Sequence, residues 1–188
     1  MRSSTLRAER QKLTLRELVL FAAFGALMFL SKIAMEWLPN IHFLGMFIAA
    51  FTLVYRKKAL IPIYVFVAIL GVVNGFALWW PIHLYIWLPL WGAFMLAGRW
   101  SLPKRVQIPL YMLLCGLHGL VYGTLCAPVQ MLLFGLPLRL LPAWILAGLA
   151  YDGIHAAGNF AAGALILPLV GLLRKMEGNS EKLIVKSE

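Results

Sequence analysis

Asp152, His155 and Asn159 stand at offsets 0, 3 and 7 within the apolar stretch YDGIHAAGNFAAG, so a helix through them presents all three on one face. An ionisable group at the centre of a membrane helix costs roughly 2.5–3.5 kcal/mol on insertion scales, so such residues mark a site or a bonded partner. A carboxylate, an imidazole and an amide together can line a ligand pocket, tie neighbouring helices by hydrogen bonds, or relay a proton. The relay lacks a second carboxylate in a neighbouring segment. A second stripe, Trp80, His83, Trp87 and Trp91, is spaced 3, 4 and 4 apart and also shares a helical face. Aromatic faces hold a flat heterocycle or a cation by stacking; the plain alternative for such a stripe is core packing. Pro81 and Pro89 should bend or break this helix and free backbone groups that a ligand can use.

Four further groups belong to the same inventory. Asn40 and His42 follow the pair Lys32 and Glu36, which lie four apart and can neutralise each other. Arg139 is a basic residue far from the other cations; a solvated loop charge is the simple reading, and an inward turn would suit a carboxylate or phosphate. Cys115, His118, Tyr122 and Cys126 fall on roughly one side of a helix. The cysteines are eleven apart, or about 16 Å along a helix, which rules out a shared metal ion or a disulfide within that helix. His118 reads as a hydrogen-bonded core histidine, and Gly116, Gly119 and Gly123 as points of close helix approach.

The elements that must position these groups are set by charge. Fifteen of the seventeen Lys and Arg residues fall in four clusters: Arg2 to Arg16, Arg56 to Lys58, Arg99 to Arg105, and Arg174 to Lys186. Long apolar segments separate them, each interrupted midway by a turn-like break, around Leu38–Ile41, Asn74–Gly75 and Gly135–Pro142, of which only the last holds a charge, Arg139. Basic loops alternating with apolar stretches are the pattern of a multi-pass membrane protein with those loops on the cytoplasmic side. With 62% hydrophobic residues, 13% charged residues and a mean hydropathy of +0.85, the chain is too apolar for a soluble domain. The net charge of +10 is accounted for by anionic inner-leaflet lipid at the ends of spans, so no nucleic-acid partner is expected.

Six helical spans are predicted near Leu15–Glu36, Ile41–Tyr55, Ala59–Asn74, Trp80–Gly98, Val106–Phe134 and Pro142–Leu173, with both termini cytoplasmic. The second and third are short for a full crossing, and the last two are long. A basic N-terminal arm over residues 1–13 and a polar tail over 175–188 flank this all-α membrane domain of residues 14–174. The first apolar run reads as a retained helix, since Lys32 and Glu36 close it and no small-residue cleavage site follows. Trp37, Trp79, Trp80 and Trp144 at outer ends, with Trp100 at an inner end, read as an aromatic belt.

In the first span, LVLFAAFGALMFL, Ala22 and Ala26 are four apart with Gly25 beside them, so one face lacks bulk and another helix can approach it. Taken with six spans, fewer than two hundred residues and the segment YDGIHAAGNFAAGALILPL, the chain resembles the S components of energy-coupling factor (ECF) transporters from about Thr14 to Arg174. These are small bacterial membrane subunits that capture vitamins and related micronutrients. The resemblance implies a six-helix bundle holding its substrate toward the extracellular side, by the loop after helix one and by helices four to six. It implies that Ala22, Gly25 and Ala26 dock on a transmembrane coupling subunit joined to two ATP-binding cassette ATPases. On that reading Asn40, His42, Trp80, His83, Trp87, Trp91, Arg139, Asp152, His155 and Asn159 are the candidate substrate-binding residues. The chain contains no G-x-x-x-x-G-K-[ST], so ATP hydrolysis is expected from the partners, and neither a metal nor a cofactor is expected here.

Two other classes stay open at this stage. A stand-alone carrier or channel would transport without any ATPase. An intramembrane enzyme would need a nucleophile in a Gly-x-Ser-x-Gly turn or clustered ligands such as H-E-x-x-H, and the chain has neither. Substrate identity is not written in the residue types: a thiamine-like cation, a pyridine or flavin ring, a pteridine, an amino acid and a modified base all suit them.

Overall fold

The computed structural model describes residues 13–185, with side chains described as far as Gly178. The basic arm expected over residues 1–13 therefore lies, apart from Leu13, outside the described residues. All regular structure among the described residues is helical: α1 (Leu15–Ala34), α2 (Leu44–Tyr55), α3 (Leu60–Asn74), α4 (Leu88–Ala97), α5 (Lys104–Leu120), α6 (Tyr122–Leu133), α7 (Leu141–Gly163) and α8 (Ile166–Val185). Short 3-10 turns at Arg56–Ala59, Trp80–Leu84 and Leu138–Leu140 complete the chain.

α1 starts sharply because Thr14 and Glu17 satisfy each other's backbone: the Thr14 hydroxyl accepts from the Glu17 N–H at 3.1 Å, and the Glu17 carboxylate accepts from the Thr14 N–H at 3.0 Å. α2 is apolar all round, and Leu44 through Thr52 are all buried, so this short helix is the centre of the bundle. It runs antiparallel to α1, since Phe21 packs on Tyr55 and Phe24 stacks on Phe51. The chain then reverses at Arg56, whose φ of 54° lies in the left-handed region that non-glycine residues seldom occupy. That turn is held from both sides: the Arg56 guanidinium donates to the Met95 carbonyl, and the Trp91 indole N–H donates to the Arg56 carbonyl at 3.4 Å.

After the reversal α3 runs parallel to α1. Lys58 bonds Glu17 at one end, Pro62 and Val65 crowd Gly25 in the middle, and Leu70 and Asn74 share a cavity wall with Lys32 at the other end. A Cβ at Gly25 would lie 2.5 Å from the Val65 side chain and 2.9 Å from the Pro62 carbonyl oxygen. Gly25 is thus consumed by packing inside the bundle, which corrects the expectation that it lies on an open docking face. Ala22 is exposed and Ala26 half-buried.

The predicted fourth, fifth and sixth spans are each interrupted. Residues 80–87 wind as a 3-10 turn and an irregular turn before α4 begins, with Pro81 and Pro89 at the two starts. The helix expected over Val106–Phe134 breaks at Val121, between Gly119 and Gly123. The one expected over Pro142–Leu173 breaks at Ala164 and Leu165, where the ring of Pro168 faces the carbonyl four residues back and its nitrogen has no proton to offer. α5 and α7 pack antiparallel through positions without side-chain bulk: Gly116 meets Phe160, Gly119 meets Ala156, and Gly163 meets Met112. α8 carries helical structure past Arg174 to Val185, and Glu177 bonds both Arg16 and Tyr55.

Charge divides the molecule along the bundle axis. Arg16, Arg56 to Lys58, Arg99, Lys104, Arg105, Arg174 and Lys175 lie toward one end, whereas among the described residues only Lys32 and Arg139 carry positive charge toward the other. Leu15, Val19, Leu30, Leu132, Leu138 and Leu146 are each more than 60% exposed, so large apolar side chains cover much of the outside of the bundle. Among the described residues, five stretches are long and apolar enough to cross a membrane: Leu15–Ala34, Leu44–Asn74, Trp80–Ala97, Lys104–Leu133 and Leu138–Gly163. The second of these contains the Arg56 reversal. This is an all-helical chain built for lipid.

Candidate binding site at the uncharged end

The chain has four histidines, and four different elements bring them together: His42 from the loop before α2, His83 from the turn before α4, His118 from α5 and His155 from α7. Trp87 stands among them. Its ring centroid lies 6.3 Å from that of His42, 6.1 Å from those of His83 and His118, and 5.8 Å from that of Tyr122. His155 closes the group, 4.7 Å from His42 and 4.9 Å from Tyr122. Trp79 extends it, edge-on to His83 at 5.4 Å.

Some of these polar atoms are satisfied. His118 Nε2 lies 2.9 Å from the Ile86 carbonyl oxygen, so this ring is bonded into the core as the sequence reading had it. His155 Nδ1 lies 2.8 Å from the Asn40 carbonyl oxygen. A carbonyl only accepts, so the proton of a neutral His155 sits on Nδ1 and its Nε2 offers a lone pair. The site is distinguished by what is left over. His42 Nδ1, His83 Nδ1, Trp87 Nε1 and His155 Nε2 are buried with no hydrogen-bond partner among the described residues. Each such atom costs about 1–3 kcal/mol to leave unpaired, and four of the five orphaned side-chain atoms in the described chain belong to this cluster.

Asp152 stands beside the cluster. Its Oδ1 accepts the Gly123 backbone N–H at 3.0 Å, and a Cβ at Gly123 would lie 2.5 Å from Oδ2, so only glycine admits the carboxylate there. Asp152, Tyr122, Gly123, Asn40 and Trp144 line a cavity of about 230 Å³ between α6 and α7. A second cavity, of about 170 Å³, lies under the loop that carries Asn40 and His42. A third, of about 330 Å³, is walled by Lys32, Asn74, Trp79 and His83. Asn40 separates the first two. Its φ of 57° turns the chain so that its carbonyl faces His155 while its side-chain amide donates to the Tyr151 carbonyl at 3.4 Å.

Of the candidate residues, His42, His83, Trp87 and His155 meet in the cluster, and Asn40 and Asp152 edge it. The others go elsewhere. Trp80 donates to the Val67 carbonyl at 2.9 Å and packs on Phe76, fastening its turn to α3. Trp91 faces the Arg56 turn at the basic end. Asn159 bonds back to the His155 carbonyl and fills the space over Gly45, so it joins α7 to α2. Arg139 is exposed in the Leu138–Leu140 turn. Lys32 and Glu36 are 4.0 Å apart, at the limit of an ion pair.

Tyr122 and Gly123 are the residues that the candidate set lacks. Tyr122 forms the wall between cluster and cavity, and the nearest sequence signal was its place on one side of the helix with His118. Among the described residues no group of three or more His, Cys, Asp or Glu side chains is arranged to hold a metal ion, and both cysteines are free. Comparison with family models, with curated proteins and with solved structures finds no match.

Proposed function

We propose that this chain is the substrate-capturing subunit of an ECF-type importer, an S component that takes a small heterocyclic micronutrient from outside the bacterial cytoplasmic membrane. One observation carries the binding half of this reading: four unpaired polar atoms, the Trp87 Nε1 among them, belong to one cluster of rings at the end of the bundle away from the basic turns. A membrane interior offers no water to satisfy them, so a ligand with matching donors and acceptors repays a cost already built into the fold. Trp87, Tyr122 and the imidazoles supply the flat faces.

The Arg56 reversal supports six passes, since it divides the long Leu44–Asn74 stretch into two antiparallel helices of 12 and 15 residues. At 1.5 Å per residue these are only about 18 and 22 Å long, and α4, α7 and α8 pack around α2 and shield it from lipid. The positive-inside rule then puts both termini and the basic turns in the cytoplasm and the histidine cluster toward the outside.

Docking falls to the outward face of α1. Ala22 and the half-buried Ala26 leave this face low in relief, flanked by exposed Val19 and Leu30. A coupling subunit seated there, carrying two ATPases, would turn the loaded site toward the cytoplasm. Ala22→Trp is expected to abolish uptake by the assembled importer while leaving ligand binding to the solubilised subunit unchanged. Uptake at the normal rate would remove the docking claim, and uptake into proteoliposomes by this subunit alone would favour a stand-alone carrier.

A further inference from the structure

We infer that the ligand carries a basic nitrogen group that pairs with Asp152, which makes the substrate a protonatable, amino-substituted heterocycle and not a neutral or acidic one. The inference rests on the binding reading above and adds a charge to it. Asp152 is 6% exposed, lies in an apolar bundle, and has no cation within ion-pair distance among the described residues. Its Oδ1 is occupied by the Gly123 N–H, and its carboxylate lines the cavity between α6 and α7. A carboxylate kept from water needs a cation or several donors to hold its charge, and the protein supplies a single backbone N–H.

The nearby cations do not serve it. Lys32 lines the two other cavities, and Arg139 is exposed in its turn and is not among the residues lining this one. The remaining walls match a cationic ring. Tyr122 and Trp144 give aromatic faces to the same cavity, and such faces attract an ammonium or amidinium group. Behind Tyr122, outside the lining of this cavity, stand the unpaired His155 Nε2 and Trp87 indole N–H of the neighbouring cluster.

The test uses three single-ring probes of nearly equal shape on the full chain in detergent: 3-(aminomethyl)pyridine, 3-(hydroxymethyl)pyridine and pyridine-3-carboxylate, followed by calorimetry at neutral pH. The cationic probe is expected to bind at least about tenfold more tightly than the other two, a difference of about 1.4 kcal/mol. Asp152→Asn, isosteric and retaining the acceptor for Gly123, should remove that preference while thermal unfolding shows the protein still folded. His155→Ala, behind the Tyr122 wall, should leave the preference for the cationic probe in place. Equal or reversed affinities in the wild type would overturn the charge assignment and leave the binding reading standing. Failure of all three probes to bind at millimolar concentration would overturn both.

Discussion

At Gly123 the absence of a side chain decides where a charge can be buried. A methyl group there would press on both carboxylate oxygens of Asp152, 2.5 and 2.8 Å away. Gly123→Ala is therefore expected to lower stability in detergent by about 1–3 kcal/mol and to weaken binding of the cationic probe. Gly153→Ala, one residue beyond Asp152 with nothing within 4 Å of the new methyl, should be neutral or slightly stabilising in the same thermal-unfolding measurement. Equal losses in both would show that helix propensity and not the carboxylate governs the position. Asp152 and His155 were legible as chemistry because ionisable groups are rare in apolar runs. Tyr122 was not, because a tyrosine on a membrane helix has many ordinary uses and only its neighbours make it a wall of the site.

Helix by helix, the interruptions matter more than the regular turns. Pro81 and Pro89 announced the break before α4, since a missing N–H and a ring against the preceding turn act locally, whereas the breaks at Val121 and at Ala164 and Leu165 were not foreseen. The Arg56 reversal had only its basic residues as a signal. Its geometry depends on Met95 and Trp91, some forty residues away in the chain. The close contact of α1 and α3 likewise belongs to a pair of helices. Gly25→Val should destabilise the bundle by about 1–3 kcal/mol, since Val65 and the Pro62 carbonyl leave no room, while Ala22→Val on the exposed side should leave unfolding unchanged. If the two substitutions exchanged effects in a thermal-unfolding comparison, the assignment of the two faces of α1 would be reversed.

Across the whole molecule, the basic turns and the histidine cluster lie toward opposite ends of the bundle, and the proposed sidedness rests on that separation. With Cys115 and Cys126 replaced, a membrane-impermeant maleimide should label Leu138→Cys in intact cells and Lys57→Cys only after permeabilisation. Labelling of both from one side would end the six-pass reading. The sequence by itself determined that the chain is helical and made for lipid, where its basic turns fall, and which polar residues are expensive, because hydropathy, charge and proline act over neighbouring residues. Only the tertiary structure decided which of those residues meet. His42, His83, His118 and His155 are at least 35 residues apart along the chain, and the same packing that gathers them around Trp87 sends Trp80, Trp91 and Asn159 to structural duties. Convergence of that kind depends on the relative placement of four elements, and no local pattern records it.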